Sequence, residues 1–451
     1  MMDNIKEIKL KTLPTNILNI YNQKVVTADE AVTHIKSGDN IVIQPGCAAP
    51  IELINAMVNR KDELENVNLY HILVVGDLPY TKPGMEKHFK HKAFFIGANT
   101  REAVNDGRAE FIPIFLSEVP LLFKRGQIKT DVALIHLSPP DEHGFCSYGV
   151  DVGTIKSAAE KSKIIIGQIN SEMPRSLGDS FIHINKINYI VEKNEPIKEL
   201  PQIDPNTGKE FLEIYDKIGT NIAELIDDGS TLQMGIGAIP DAVMNYLAEK
   251  KNLGIHTEMF SDGIIDLVEQ GIINGEQKTL HPGKIIAGFV LGTRRVYDFI
   301  DNNPVIEFHP QEYVNDPFVI AKNRKMIAIN SAIEVDLTGQ VCSDSMGTRL
   351  YSGIGGQVDF IRGAVHSEGG KGIIALPSIT KDGKISRIVP KLKSGAGVVT
   401  SRGDVHYVIT EYGVALLFGK SIKERARELI KISHPKFRDE LTKFAKDTYK
   451  I

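Results

Sequence analysis

The feature that most constrains this chain is a recurrence of short, continuous apolar runs rich in Val and Ile, set between amphipathic, helix-like stretches. The runs fall at 41–43, 132–137, 164–169, 284–291, 325–330, 372–376 and 407–410. A strand that is apolar on both faces must be covered on both, which is how parallel sheets are built. Strands of this kind separated by helical segments predict an α/β fold with largely parallel, buried sheets and helices on both faces. With 451 residues, 42% apolar and 24% charged, the chain has the composition of a globular protein and length for two or three domains.

One pattern occurs twice. The first half reads Gly38-Asp39-Asn40, a strand, Gly46, Pro50 and a helix-like stretch from Ile51 to Val58. The second half reads Gly229-Ser230-Thr231, a strand, Gly235-Ile236-Gly237, Pro240 and a helix-like stretch from Asp241 to Leu247. Gly38 to Gly46 and Gly229 to Gly237 are both separations of eight residues. The segment 192–209 between the halves is polar and carries three prolines, as a linker would. Two similar α/β domains in tandem are therefore expected, at 1–200 and 210–451, with ligands at the carboxyl ends of the strands.

Charge and composition exclude several classes. Lys plus Arg number 53 and Asp plus Glu 57, a balance that disfavours a dedicated nucleic-acid binder. Tryptophan is absent, and with it the usual platform for single strands. Cys47, Cys146 and Cys342 are too few and too scattered for a disulfide framework or a Cys-rich zinc site, which suits a reducing cytoplasm. No HExxH or GxSxG occurs, and no metal is expected. Residues 1–11 mix charged and apolar types, unlike a secretory leader, and no run is long enough to span a membrane.

Four segments could carry chemistry. The turn Gly235-Ile236-Gly237-Ala238-Ile239 joins a strand to a helix, where unpaired N–H groups can meet an anion; it is neither a dinucleotide fingerprint nor a P-loop, and alone it is equally a structural bend. The stretch 253–263 reads as a short strand ending near Glu258, with Ser261 as the cap of the next helix. Its counterpart in the first half, 69–75, holds no acid, so only one half carries a reactive carboxylate; a solvated or ion-paired Glu is the alternative. Three glycines at 353, 355 and 356 precede Gln357 and predict positive φ or close approach to a ligand, or simply a tight turn. His143, in a loop after the 132–137 strand, is a candidate base or an ordinary loop histidine.

Taken together, LQMGIGAIPDAV, LGIHTEMFSDGIIDL, GFVLGTRRVYDFI and YSGIGGQVDFIRGA resemble the acetyl-CoA hydrolase/transferase family, and within it the 4-hydroxybutyrate CoA-transferase group. SPPDEHGFCSYGV, TSRGDVHYVITEYGVA and Ser433-His434-Pro435 extend the resemblance over nearly the whole chain. It implies two tandem CoA-transferase domains, Glu258 as nucleophile, and coenzyme A as substrate with no tightly bound cofactor. It implies that Gly235, Ile236, Gly237, Ala238 and Ile239 line the CoA site, with Gly355, Gly356 and Gln357 against its thioester end. It also implies a homo-oligomer, dimer or tetramer, acting on acyl-CoA and short-chain carboxylates.

The implied chemistry is covalent. Glu258 would attack an acyl-CoA to give an acyl-glutamyl anhydride and CoA thiolate, and the thiolate would return to give a glutamyl-CoA thioester and free carboxylate. The resemblance places a histidine beside the acyl site in the first Gly-rich loop of the 4-hydroxybutyrate enzymes. The loop here is Gln44-Pro45-Gly46-Cys47-Ala48-Ala49, and Pro45 in that place argues for simple acids such as acetate, propionate or butyrate. An acyl-CoA hydrolase using the same glutamate and a non-catalytic CoA or phosphometabolite binder are the competing readings.

Overall fold

The computed structural model describes residues 13–200 and 209–451. Residues 1–11, read above as no leader, and 201–208 of the expected linker lie outside the described residues; the linker's other part, 193–200, forms no helix or strand. The chain divides into two compact units.

The first unit is built on a seven-stranded sheet. Its strands are β1 (Asn40–Ile43), β2 (Val67–His71), β3 (Phe89–Ala93), β4 (Ala109–Phe111), β5 (Val132–Leu137), β6 (Ile164–Ile169) and β7 (Tyr189–Glu192). They lie in the order β4-β3-β2-β1-β5-β6-β7, and every pairing is parallel. β5 is buried along its whole length, as its unbroken VALIHL run requires of a strand covered on both faces. Helix α1 (Ile51–Asn59) lays Leu53, Ile54 and Met57 into the core beside Ile41, Ile43 and Leu134.

The second unit repeats the plan with six strands, β8 (Thr231–Met234), β9 (Gly254–Ile255), β10 (Met326–Ser331), β11 (Lys371–Ala375), β12 (Tyr407–Thr410) and β13 (Gly413–Leu416). Their order is β9-β8-β10-β11-β12-β13, parallel except for the final hairpin. Helices α2 (Lys209–Ala223), α3 (Ala238–Met244) and α4 (Gln357–His366) belong to this unit. The C-terminal stretch forms α5 (Ile422–Ile432) and α6 (Arg438–Tyr449), separated at Ser433-His434-Pro435. Ala426, Leu429 and Leu441 on these helices join Val335, Ile374 and Val408 in one core, so both helices pack on their own unit.

The α/β expectation holds, and so do two of its finer points. Gly46 and Gly237 sit at matching bends with φ of +63° and +113°, values that L side chains rarely adopt. Differences appear where a run is interrupted. The 284–291 run is no single strand; it splits at Gly288 into Ile285–Ala287 and Phe289–Val290, neither in a large sheet. Residues 287–313 also belong to the first unit, although sequence order would leave them in the second. Their backbone accounts for this: Val290 N–H donates to Val150 O (2.9 Å), Val152 N–H to Gly288 O (3.2 Å) and Asp179 N–H to Phe308 O (2.8 Å). Ser261 is not the helix cap. The helix starts at Gly263, with Asp262 before it and no side-chain cap. Among the described residues no helix is long and apolar enough to cross a membrane.

Helices α2 and α3 touch through Gly219. A Cβ there would stand 2.8 Å from the Ala242 backbone carbon and oxygen. Alanine gains about 1 kcal/mol of helix propensity over glycine, but a clash with unyielding backbone costs about 1–3 kcal/mol. Gly219→Ala is therefore expected to lower the urea midpoint of unfolding, and a higher midpoint would show that the helices can part freely.

Candidate active site

Glu258 follows β9, on the segment that continues along the edge of the second sheet. His256 N–H donates to Leu232 O (3.1 Å) and Thr257 N–H to Ile286 O (2.9 Å), which fixes the backbone on both sides. The Thr257 hydroxyl donates to Met234 O (3.1 Å), the last carbonyl of β8 before Gly235. One side chain thus ties the Glu258 segment to the Gly235–Gly237 bend. His256 is anchored by Nε2 on Val314 O (2.8 Å) and meets Phe360 edge-on at 6.2 Å between ring centroids. Phe360 belongs to an apolar cluster with Ile286, Val314, Ile320 and Ala328.

The Glu258 carboxyl rests between two donors. Asn315 Nδ2 donates to Oε2 at 3.0 Å, and the Gly356 N–H donates to the same carboxyl. Gly356 opens α4 with φ −95°, so its backbone suits any residue. It must be glycine for space, because a Cβ would collide with Glu258 Oε2 and Asn315 Nδ2. Gly355 carries the positive φ of the run, +60°. Burial pushes the Glu258 carboxyl up to about 7, while Asn315 and Gly356 pull the other way by bonding the charged form. Asp241, in the first turn of α3, is likewise pushed up to about 6 by burial.

The structure therefore brings Glu258 and Gly356 together, and Gly235 to Ile239 are held to them through Thr257. Positions 235 and 237 face open space, with no atom within 4 Å of a Cβ built at either. Gln357 is engaged within the protein: Nε2 donates to Ser331 O (2.7 Å), and Oε1 accepts from Ser343 (2.9 Å) and Thr400 (3.0 Å) hydroxyls. It braces the end of β10 against α4. His143 stands exposed on a turn closed by Asp141, beside the equally exposed Glu142. Asn315 had no signal in the sequence beyond preceding the Asp316-Pro317 start of a short helix. Among the described residues no group of three or more His, Cys, Asp or Glu could hold a metal.

A carboxyl whose pKa rises on folding binds its proton more tightly in the native state. That contribution to stability is complete below about 4.5, the ordinary value, and is lost as pH rises through about 7. Glu258→Gln is therefore expected to unfold at a higher temperature than the parent at pH 8, with the gap closing below pH 4.5. An equal gap at both pH values would mean that Glu258 titrates normally.

Comparison with known proteins follows the same lines. The acetyl-CoA hydrolase/transferase N-terminal domain matches residues 14–201, and the C-terminal domain of that family matches 292–445. The chain is 53% identical to a 4-hydroxybutyrate coenzyme A transferase of Clostridium kluyveri, over 94% of this chain and 97% of that one. It is 48% identical to a succinyl-CoA:acetate/propanoyl-CoA:succinate CoA transferase of Fasciola hepatica, over 94% and 88%. The crystal structure of a 4-hydroxybutyrate CoA-transferase from Porphyromonas gingivalis superimposes with a TM-score of 0.82 at 41% identity, covering 95% of this chain and 99% of that one. A chain matched in both domains, and over nearly its full length by such relatives, belongs to the acetyl-CoA hydrolase/transferase family.

Proposed function

We propose that this protein moves coenzyme A between a short-chain acyl-CoA and a free carboxylate, with Glu258 as the covalent relay. The enzyme class, a CoA-transferase, rests on the family and its relatives. The observation that supports the relay is the Glu258 carboxyl itself, raised to about 7 by burial and held by Asn315 and Gly356. A carboxyl near 7 is partly ionised at neutral pH and more basic than an ordinary one, so it is a better nucleophile.

Glu258 attacks the thioester carbonyl, forming an acyl-glutamyl anhydride and releasing CoA thiolate. The thiolate attacks the glutamyl carbonyl, giving a glutamyl-CoA thioester and the first free acid. An incoming carboxylate reverses both steps and leaves as the new acyl-CoA. When the thiolate adds to the glutamyl carbonyl, negative charge builds on the Glu258 oxygen, where Asn315 Nδ2 and the Gly356 N–H already point. Donors that hold the resting carboxylate are thus placed to hold the oxyanion. Open space beside Gly235 and Gly237 suits the approach of the pantetheine arm to the backbone. For substrate, Pro45 in the first loop favours simple acids such as acetate, propionate or butyrate over hydroxylated ones. The three cysteines are buried and unbridged, which fits the cytoplasm as the compartment.

Intact-protein mass spectrometry after adding butyryl-CoA is expected to show a CoA-sized adduct, mapped to the peptide holding Glu258. Glu258→Ala should lose adduct and turnover while still binding CoA; unchanged turnover would remove the covalent route. Release of free CoA should depend on added acetate, and equal release without it would favour the hydrolase. In Asn315→Ala the rate should fall on the order of 100-fold. Its pH–rate limb, rising through about 7 in the parent, should move to higher pH because a donor to the charged form is gone. A limb that stays in place would detach Asn315 from the relay.

A further inference from the structure

The second unit holds a half-buried cation that no described residue meets in an ion pair. Arg387 ends the loop that leaves β11 and returns to the unit. Its backbone is fixed: its N–H donates to Ser378 O (2.9 Å) and its carbonyl accepts from Val335 N–H (2.9 Å). Its guanidinium makes no hydrogen bond or ion pair with any described residue. Two other arginines of the unit are paired with acids, Arg324 with Glu368 at 2.8 Å and Arg362 with Asp404 at 3.2 Å. The acid whose charge acts on Arg387, Glu411, spends both oxygens on Ser378, accepting from its N–H (2.9 Å) and its hydroxyl (2.5 Å). Burial lowers the guanidinium below the usual arginine range, so its charge is held at a cost.

Arg387 lines a cavity of about 180 Å³ together with Tyr215, Ile236, Ala238, Ser331 and Pro377. These positions mark the carboxyl ends of β8, β10 and β11, three neighbouring parallel strands. Ligands of open α/β sheets bind at such strand ends. The remaining walls, Ile239, Pro240, Ala332 and Ala375, are apolar, so they offer the cation no counter-charge. A planar guanidinium whose donors are taken by no described residue, in the wall of a cavity, is the arrangement that receives phosphate or carboxylate oxygens in pairs.

We propose that Arg387 is the anion-binding group of this cavity and that it holds a phosphate of the acyl-CoA substrate. The inference rests on the CoA-transfer reading and adds a residue to it. The reacting carboxylate is not the anion concerned, because it must meet Glu258, and Glu258 does not line this cavity. A short monocarboxylate has no second anion to place there. Acyl-CoA carries phosphates remote from its sulfur, and the Gly235–Ile239 bend forms one wall of the same cavity. The second carboxylate of a diacid shares the oxyanion chemistry, and the test separates it.

The full chain and its Arg387→Gln and Arg387→Lys variants are compared by calorimetric binding of CoA, dephospho-CoA and pantetheine. KM is measured for butyryl-CoA, butyryl-pantetheine, acetate and succinate. Arg387→Gln is expected to weaken CoA about 10- to 100-fold, the worth of one charge-assisted hydrogen bond. Pantetheine binding, kcat on butyryl-pantetheine and KM for acetate should not change, and Arg387→Lys should recover part of the loss. A loss repeated with dephospho-CoA assigns the diphosphate, and a loss absent there assigns the 3′-phosphate. Unchanged CoA affinity, an equal loss for pantetheine, or a loss confined to succinate would each overturn the proposal. If the parent chain binds CoA through Arg387 but transfers nothing, the assigned reaction fails and this site stands.

Discussion

The site depends on drawing one carboxyl partly out of water and then compensating for it with two donors. Burial alone would drive Glu258 to its neutral form, in which it is no nucleophile; a fully satisfied carboxylate would be charged but inert. Asn315 and the Gly356 N–H leave it between these limits, at about 7. The same residues explain why position 356 must lack a side chain, since the carboxyl and the Asn315 amide already fill the space a Cβ would need.

The parallel sheet supplies that arrangement. β8, β10 and β11 end side by side, and each continues into a loop that bears on the site. β8 runs into the Gly235–Gly237 bend, β10 ends at Ser331, whose carbonyl holds Gln357 at the start of α4, and β11 leads into the loop that carries Arg387. Because each strand is buried along most of its length, none can rotate or slip without exposing core to water. The loops therefore begin from fixed points, and short hydrogen bonds such as Thr257 to Met234 are enough to set the rest.

What could be read beforehand follows from how the information is stored. Continuous runs such as VALIHL and MIAIN declare buried strands, because burial on both faces is a local demand on composition. The eight-residue spacing of Gly38–Gly46 and Gly229–Gly237 declares the duplicated plan, because backbone bends at positive φ restrict residue type. Gly288 escaped notice inside an apolar run, where it splits the segment in two. Asn315 and Arg387 belong to no period or motif. The roles proposed for them come from what three-dimensional packing brings near them, a carboxyl in one case and a cavity in the other. Gln357 shows the reverse: a residue conspicuous in sequence whose amide is occupied by Ser331, Ser343 and Thr400.

The duplicated bends also bear on why the proposed relay falls in one unit and not in the other. β1 pairs with β2 as β8 pairs with β9, so the segment after β2 is the counterpart of the one holding Glu258. In the first unit the Gly46 bend stays in the ladder: its N–H donates to Leu73 O (2.7 Å) and its carbonyl accepts from Val75 N–H (3.0 Å). The space beside it is filled as well, by Asp151 at 3.1 Å and Leu291 at 3.6 Å from a Cβ built there. In the second unit the bend leaves the ladder after Met234, where the Thr257 hydroxyl holds the strand end, and Gly235 and Gly237 face open space. A bend whose peptide groups pair with a neighbouring strand is closed to a ligand, whereas one that has left the ladder can offer them to a substrate. The acid belongs in the unit where that backbone is free.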